Sequence, residues 1–181
     1  MSAAIDFMNV ITSYPAGALG RREGTPMPNS DHFIYKVTSE ESGGRFALLE
    51  GGMPPRMLVP PHVHSREDEI SFVIEGTLGA WVGGQEYSLG SGGVLMKPRN
   101  IPHAMWNPTD SPVLMLEFIT PGAYTKFFEE VGAMPAAWGS DPTVLDEVTA
   151  RYGQTWIRDA EWLPDVIARH GLRVHGGEAK R

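Results

Sequence analysis

Between residues 31 and 120 this chain is cut into short runs, and that punctuation constrains its fold more than any other feature. "HFIYKVTS", "GRFALLEGGMP", "EISFVIEG", "TLGAWVGG", "QEYSLG", "GGVLMKP", "HAMWNPT" and "VLMLEFIT" are separated by glycine, proline, asparagine or aspartate. Runs this short suit strands, and regular short strands divided by turn residues build a sandwich or a barrel. The 21 glycines and 15 prolines of the 181-residue chain supply the turns. "VGGQEY" reads as a hairpin, with Gly83 and Gly84 at the positions that need positive φ. The expectation is an all-β, antiparallel core.

The flanks read differently. Residues 1 to about 30 have little periodicity and form a leader. From about 121 the pattern turns helical. "AYTKFFEEVGA" places Tyr124, Phe127, Phe128 and Val131 on one face. In "SDPTVLDEVTARYG", Asp141 is a cap, Pro142 takes the first helical position, and Gly153 is a stop. "EWLPDVIARHG" is a last helix ending at Gly171, followed by a tail, "HGGEAKR", expected to be unstructured. The chain therefore divides into a leader (1–30), a β-barrel (31–120) and a helical extension (121–181).

Charge and composition exclude several functions. A net charge of −7 argues against a nucleic-acid backbone as partner, and Arg21 and Arg22 make too short a basic run to change that. The absence of cysteine removes disulfides, thiolate metal sites, iron–sulfur clusters and thiol nucleophiles. No basic segment precedes the mild apolar stretch at the N-terminus, and no apolar run reaches membrane-spanning length, so a cytoplasmic protein with no membrane partner is expected.

Chemistry concentrates in four residues. His62 and His64 stand two apart, so in a strand both imidazoles point to one face. Glu69 follows, sharing a face with Ser71 and Val73, while Ile70, Phe72 and Ile74 take the other. A carboxylate there is costly to bury without a cation. His103 returns about forty residues later on a strand shared with Met105 and Asn107. Three imidazoles and a carboxylate are the ligand set of a catalytic transition-metal site. Each piece alone is weak: a strand histidine usually serves the core or the surface, H-x-H arises by chance, and Glu67 and Asp68 make a nearby carboxylate unsurprising. His32, His170 and His175 have no partners at ligand spacing.

Taken together the four fit one pattern, and the chain resembles the cupin superfamily. His62, His64, Glu69 and Gly76 match its first motif, with Arg56 where the motif opens on glycine. Gly92, Pro98, His103 and Asn107 match the second, with Asn100 replacing its inner glycine, a mild change because asparagine tolerates positive φ. The fifteen residues between Gly76 and Gly92, and the phrase "TPGAYTKFFEEVG", are similar to small single-domain, quercetin-dioxygenase-like cupins. The resemblance implies an antiparallel jelly-roll barrel, His62, His64, Glu69 and His103 as ligands to one divalent ion inside one end, and a homodimer.

Such a ligand set leaves one or two coordination positions for water, a small-molecule substrate or dioxygen. Fe, Mn, Ni or Cu would suit dioxygenation, and Zn would suit Lewis-acid chemistry. Two roles are open to Glu69: a charge-compensating ligand only, or ligand and base together, as in the flavonol dioxygenases the chain resembles. Met105, Phe46, Met57, Trp81, Trp106 and Phe118 are the candidate substrate contacts, favouring an apolar or aromatic enol or phenol. Arg56 either faces the pocket mouth or is a surface residue. Asn107 serves a turn. Trp138, Trp156 and Trp162 either cover the barrel mouth or pack on its outer wall. The functional expectation is a metal-dependent dioxygenase, followed by a non-redox isomerase, cyclase or decarboxylase, and then a non-catalytic small-molecule-binding protein.

Overall fold

A computed structural model describes residues 17–28, 30, 32–134 and 142–174. The strands are β1 (Thr25–Pro26), β2 (Phe33–Val37), β3 (Ala47–Met53), β4 (Met57–His64), β5 (Asp68–Glu75), β6 (Leu78–Val82), β7 (Gln85–Leu89), β8 (Val94–Lys97), β9 (His103–Trp106), β10 (Val113–Thr120), β11 (Gln154–Trp156) and β12 (Arg173–Val174). Among the described residues three α-helices accompany them, α1 (Thr125–Ala133), α2 (Pro142–Arg151) and α3 (Leu163–His170), with a 3-10 turn at Gly122–Tyr124 before α1. One sheet runs β1-β2-β3-β10-β5-β8 and the other β11-β4-β9-β6-β7, with β12 added to β4. All pairings are antiparallel except β12 on β4. This is the expected all-β jelly roll with a helical addition.

Alternation decides which face each strand buries. In β10, Val113, Met115, Glu117 and Ile119 are buried, while Leu114, Leu116 and Phe118 are half-buried. The core between the sheets joins Met53, Val73, Leu95, Val113 and Met115 from one side to Met57, Leu78 and Ala80 from the other. Outside the second sheet, Leu58 and Trp106 meet Val166 of α3. Trp106 can lie there because Gly79 faces it; a Cβ on Gly79 would stand 2.1 Å from the indole nitrogen. Truncating such a buried tryptophan costs roughly 3–5 kcal/mol.

The β6–β7 turn is the hairpin the sequence predicts, pairing Val82 with Gln85, with φ of 57° at Gly83 and 98° at Gly84. α2 opens at Pro142, and α3 closes on Gly171 in the left-handed conformation. Asp141, Trp138, His175, the tail and the first sixteen residues lie outside the described residues. β11 was not anticipated. Its three residues carry no alternation of their own, and pairing with β4 makes them a strand.

The two motif positions that lack glycine keep the backbone a glycine would adopt. Arg56 has φ of 62° and Asn100 of 63°; with Arg22 they are the non-glycine residues of positive φ among those described. This conformation costs a non-glycine residue roughly 1–2 kcal/mol. Arg56 compensates with its side chain, which grips Asp110 through two nitrogens and donates to the carbonyls of Pro108 and His170. It ties the end of α3 to the barrel and does not face the quartet. Among the described residues no helix is long and apolar enough to cross a membrane.

Candidate metal centre

β4 and β9 lie side by side, with His62 opposite His103 in the register. His62, His64 and His103 turn into the barrel and are 6%, 1% and 1% exposed. Their ring centroids lie 4.4 Å (His62–His103), 5.0 Å (His62–His64) and 5.6 Å (His64–His103) apart. Glu69 enters from β5 in the facing sheet. One ligand atom from each of the four residues falls within 4.8 Å of all the others. Donors about 2.0–2.2 Å from one ion have separations of this order.

The outer nitrogens of two of the three rings are tied off. The Nδ1–H of His62 donates to the carbonyl of Pro60 at 2.7 Å, and that of His103 to the carbonyl of Ile101 at 3.0 Å. Carbonyl partners of this kind fix the tautomer of a ligating imidazole and leave Nε2 for the metal. His64 Nδ1 instead faces Glu67 Oε2 at 3.7 Å, beyond hydrogen-bond distance, and both atoms are buried without a hydrogen-bond partner. Nε2 of His64 and of His103 is buried with no hydrogen-bond partner. A buried polar atom left so costs roughly 1–3 kcal/mol, and a divalent cation is the group that would satisfy both. Burial, reinforced by the neighbouring His103, pushes His62 down to about 3, so its imidazole is neutral and ready to ligate. The residues present therefore fit a metal.

Glu69 is held by charge. Burial opposes its ionisation, but Lys97 and the histidines outweigh that and hold it well below the usual carboxylate range. β8 pairs with β5 so that Lys97 stands opposite Glu69. Lys97 Nζ lies 3.0 Å from Glu69 Oε2 and 2.7 Å from Glu117 Oε1, and Ser71 Oγ donates to Glu117 Oε2 at 2.7 Å. Burial works against the ammonium, yet Glu117 and Glu69 push Lys97 up to about 12. Sequence reasoning missed this network. In "GGVLMKP", read only as a strand, Val94 is 52% exposed and Met96 63%, whereas Leu95 is 4% and Lys97 1%. The available signal was Glu117, an acid between apolar neighbours in "VLMLEFIT".

The helical extension covers the site. β11 pairs Gln154 with His64 and Trp156 with His62, and cross-strand partners share a face. Trp156 stands 5.3 Å from the ring of His62, and Tyr124, just before α1, meets His64 edge-on at 4.5 Å. The Tyr124 hydroxyl donates to Gln154 Oε1. Burial, with Glu69 and Glu67 adding to it, pushes the Tyr124 phenol well above its usual range. Trp162 instead stacks on Trp81 against the outer wall at 4.7 Å. Of the described tryptophans, Trp156 thus stands beside the quartet and Trp162 on the outer wall.

The expected substrate contacts divide by face. Met57 belongs to the core between the sheets, with Met105 packed against it, and Met105 Sδ lies 3.9 Å from Lys97 Nζ. Trp81 and Trp106 lie on the other side of their sheet, with α3. Phe118 alternates away from Glu117 and stacks on Phe46 at 4.8 Å. Asn107 organises its turn: its Nδ2 donates to the carbonyls of Met53, Pro54 and Ser111, and its Oδ1 accepts from Thr109.

Comparison with known proteins agrees with this geometry. Residues 50–119 match a family model described as "Cupin domain". Germin-like protein 12-1 of Oryza sativa subsp. japonica is 31% identical over 146 residues, covering 72% of this chain and 59% of that protein. Putative germin-like protein 12-3 of the same organism is 32% identical over 125 residues, covering 60% and 51%. The chain thus spans little more than half the length of these relatives. A structure described as a predicted oxalate decarboxylase from Thermotoga maritima superposes with a TM-score of 0.52 at 18% identity, over 58% of this chain and 99% of that one. At that identity the likeness speaks for the fold alone.

Proposed function

We propose that the cupin domain at residues 50–119 holds one divalent transition-metal ion on His62, His64, Glu69 and His103 and is a metal-dependent dioxygenase. The observation that carries the metal reading is the convergence of one ligand atom from each of four buried residues, with the outer nitrogens of His62 and His103 held by main-chain carbonyls. When bound, the ion supplies Lewis acidity and, if it is Fe, Mn, Ni or Cu, a means of engaging dioxygen.

The chain's own residues do the rest. Met57 and Met105 give the interior an apolar lining, which supports a small, largely apolar enol or phenol as substrate. Glu69 is positioned as ligand and as proton acceptor. Tyr124, Gln154 and Trp156 shield the histidines from water. Lys97 favours a second reading, in which its ammonium, beside the ion, adds positive charge to the site for non-redox isomerisation, cyclisation or decarboxylation. The protein is also proposed to be a homodimer, since Phe72, Val94 and Met96 form an exposed apolar strip at the sheet edge formed by β8.

Metal analysis of protein purified without added metal tests the first claim. About one ion per chain is expected, and none in His64→Ala. Oxygen uptake with a panel of enols then separates the two chemistries. In Glu69→Gln, retained metal with lost turnover supports the base role, and unchanged turnover refutes it.

A further inference from the structure

A lysine inside the ligand shell of a cation needs an explanation, because it places like charge beside the ion. Lys97 is 1% exposed, with Glu69 and Glu117 at 7% and 5%. Two carboxylates and one ammonium are therefore buried together, with Ser71 closing the network. β8 turns Leu95 and Lys97 inward, 4% and 1% exposed, and leaves Val94 and Met96 outside. An ammonium kept from water at this inward position is costly unless charge inside answers it. Glu69 and Glu117, at 3.0 Å and 2.7 Å, are that answer.

We propose that Lys97 is the resident countercharge of the ligand set: its ammonium holds Glu69 Oε2, balances the buried carboxylates before an ion is present, and weakens ion binding by repulsion. The protein then folds without its metal and accepts the ion onto a carboxylate already aimed inward. Lys97 acts through Glu69 and is a positioning residue. The inference rests on the quartet taking up a divalent ion, which wild-type protein tests by itself.

The experiment follows thermal unfolding and titration calorimetry of the full chain, metal-free and with Zn(II) or Mn(II) chloride alone. Lys97→Met leaves two buried carboxylates without a cation. Its metal-free melting temperature should fall by about 10 °C. Added Zn(II) should raise that temperature more than it does in wild type, with affinity tighter by about tenfold or more, since a repelling charge has gone. Lys97→Met with Glu117→Gln keeps the net charge of the group unchanged and provides a foldable alternative if the single variant is insoluble. It too should gain more from Zn(II) than wild type does. A lysine that only filled space would lower the metal-free and metal-loaded temperatures equally. A gain from Zn(II) equal to or below that of wild type, in either soluble variant, overturns the proposal. A wild type that binds neither Zn(II) nor Mn(II) overturns the metal reading and this inference with it.

Discussion

The two walls that meet at the quartet hold their ligands by different physics. On β4 and β9 the side chains are imidazoles, and two of the three are oriented by main-chain carbonyls two residues earlier in the chain. That arrangement is local and needs no further charge. On β5 the ligand is an anion, and its orientation depends on Lys97 from β8 and Glu117 from β10. A neutral ligand can be fixed by the backbone of its own strand. A buried carboxylate calls in cations and further polar groups from its neighbours, each with its own desolvation cost.

This contrast can be broken most directly by comparing substitutions on the two walls in metal-free protein. Glu117→Ala removes one partner from a buried ionic group and should cost about 3–5 kcal/mol in urea unfolding. His64→Ala should cost less, about 1–3 kcal/mol, because it deletes a ring whose two nitrogens were already without hydrogen-bond partners. Equal losses would remove the distinction. A smaller effect sharpens the role of the cover. Tyr124→Phe leaves Gln154 Oε1 buried without its donor and should destabilise by about 1–2 kcal/mol. A null result in thermal unfolding would show that the cover is not fastened by this bond. The smallest effect lies on the turn leading to β9. Asn100→Gly should stabilise by up to ~1 kcal/mol, because glycine adopts φ of 63° without penalty. A loss there would mean that the asparagine side chain contributes more than its backbone costs.

The histidine wall was legible in the sequence because its logic is local. H-x-H spacing on a strand puts His62 and His64 on one face whatever the rest of the chain does. The turn residues that end each run were equally legible, including Gly83, Gly84, Pro142 and Gly171. The substrate contacts were less so. Met57, Trp81, Met105 and Trp106 all read as large apolar residues on strands, yet two sit with the inner core and two under α3. Composition cannot separate the faces of a sheet that is covered on both sides.

What the sequence determined alone was the strand pattern, since turn chemistry and period-two alternation act over a few residues, and the candidacy of His62, His64, Glu69 and His103, which rests on their fit to the spacing of the cupin motifs. Tertiary structure decided which side of β8 would be buried, which residues would surround Glu69, and that Tyr124, Gln154 and Trp156 would close over the histidines. Those outcomes depend on register between strands far apart in the chain, and register is set by the summed burial and charge pairing of the whole sheet, which no single segment contains.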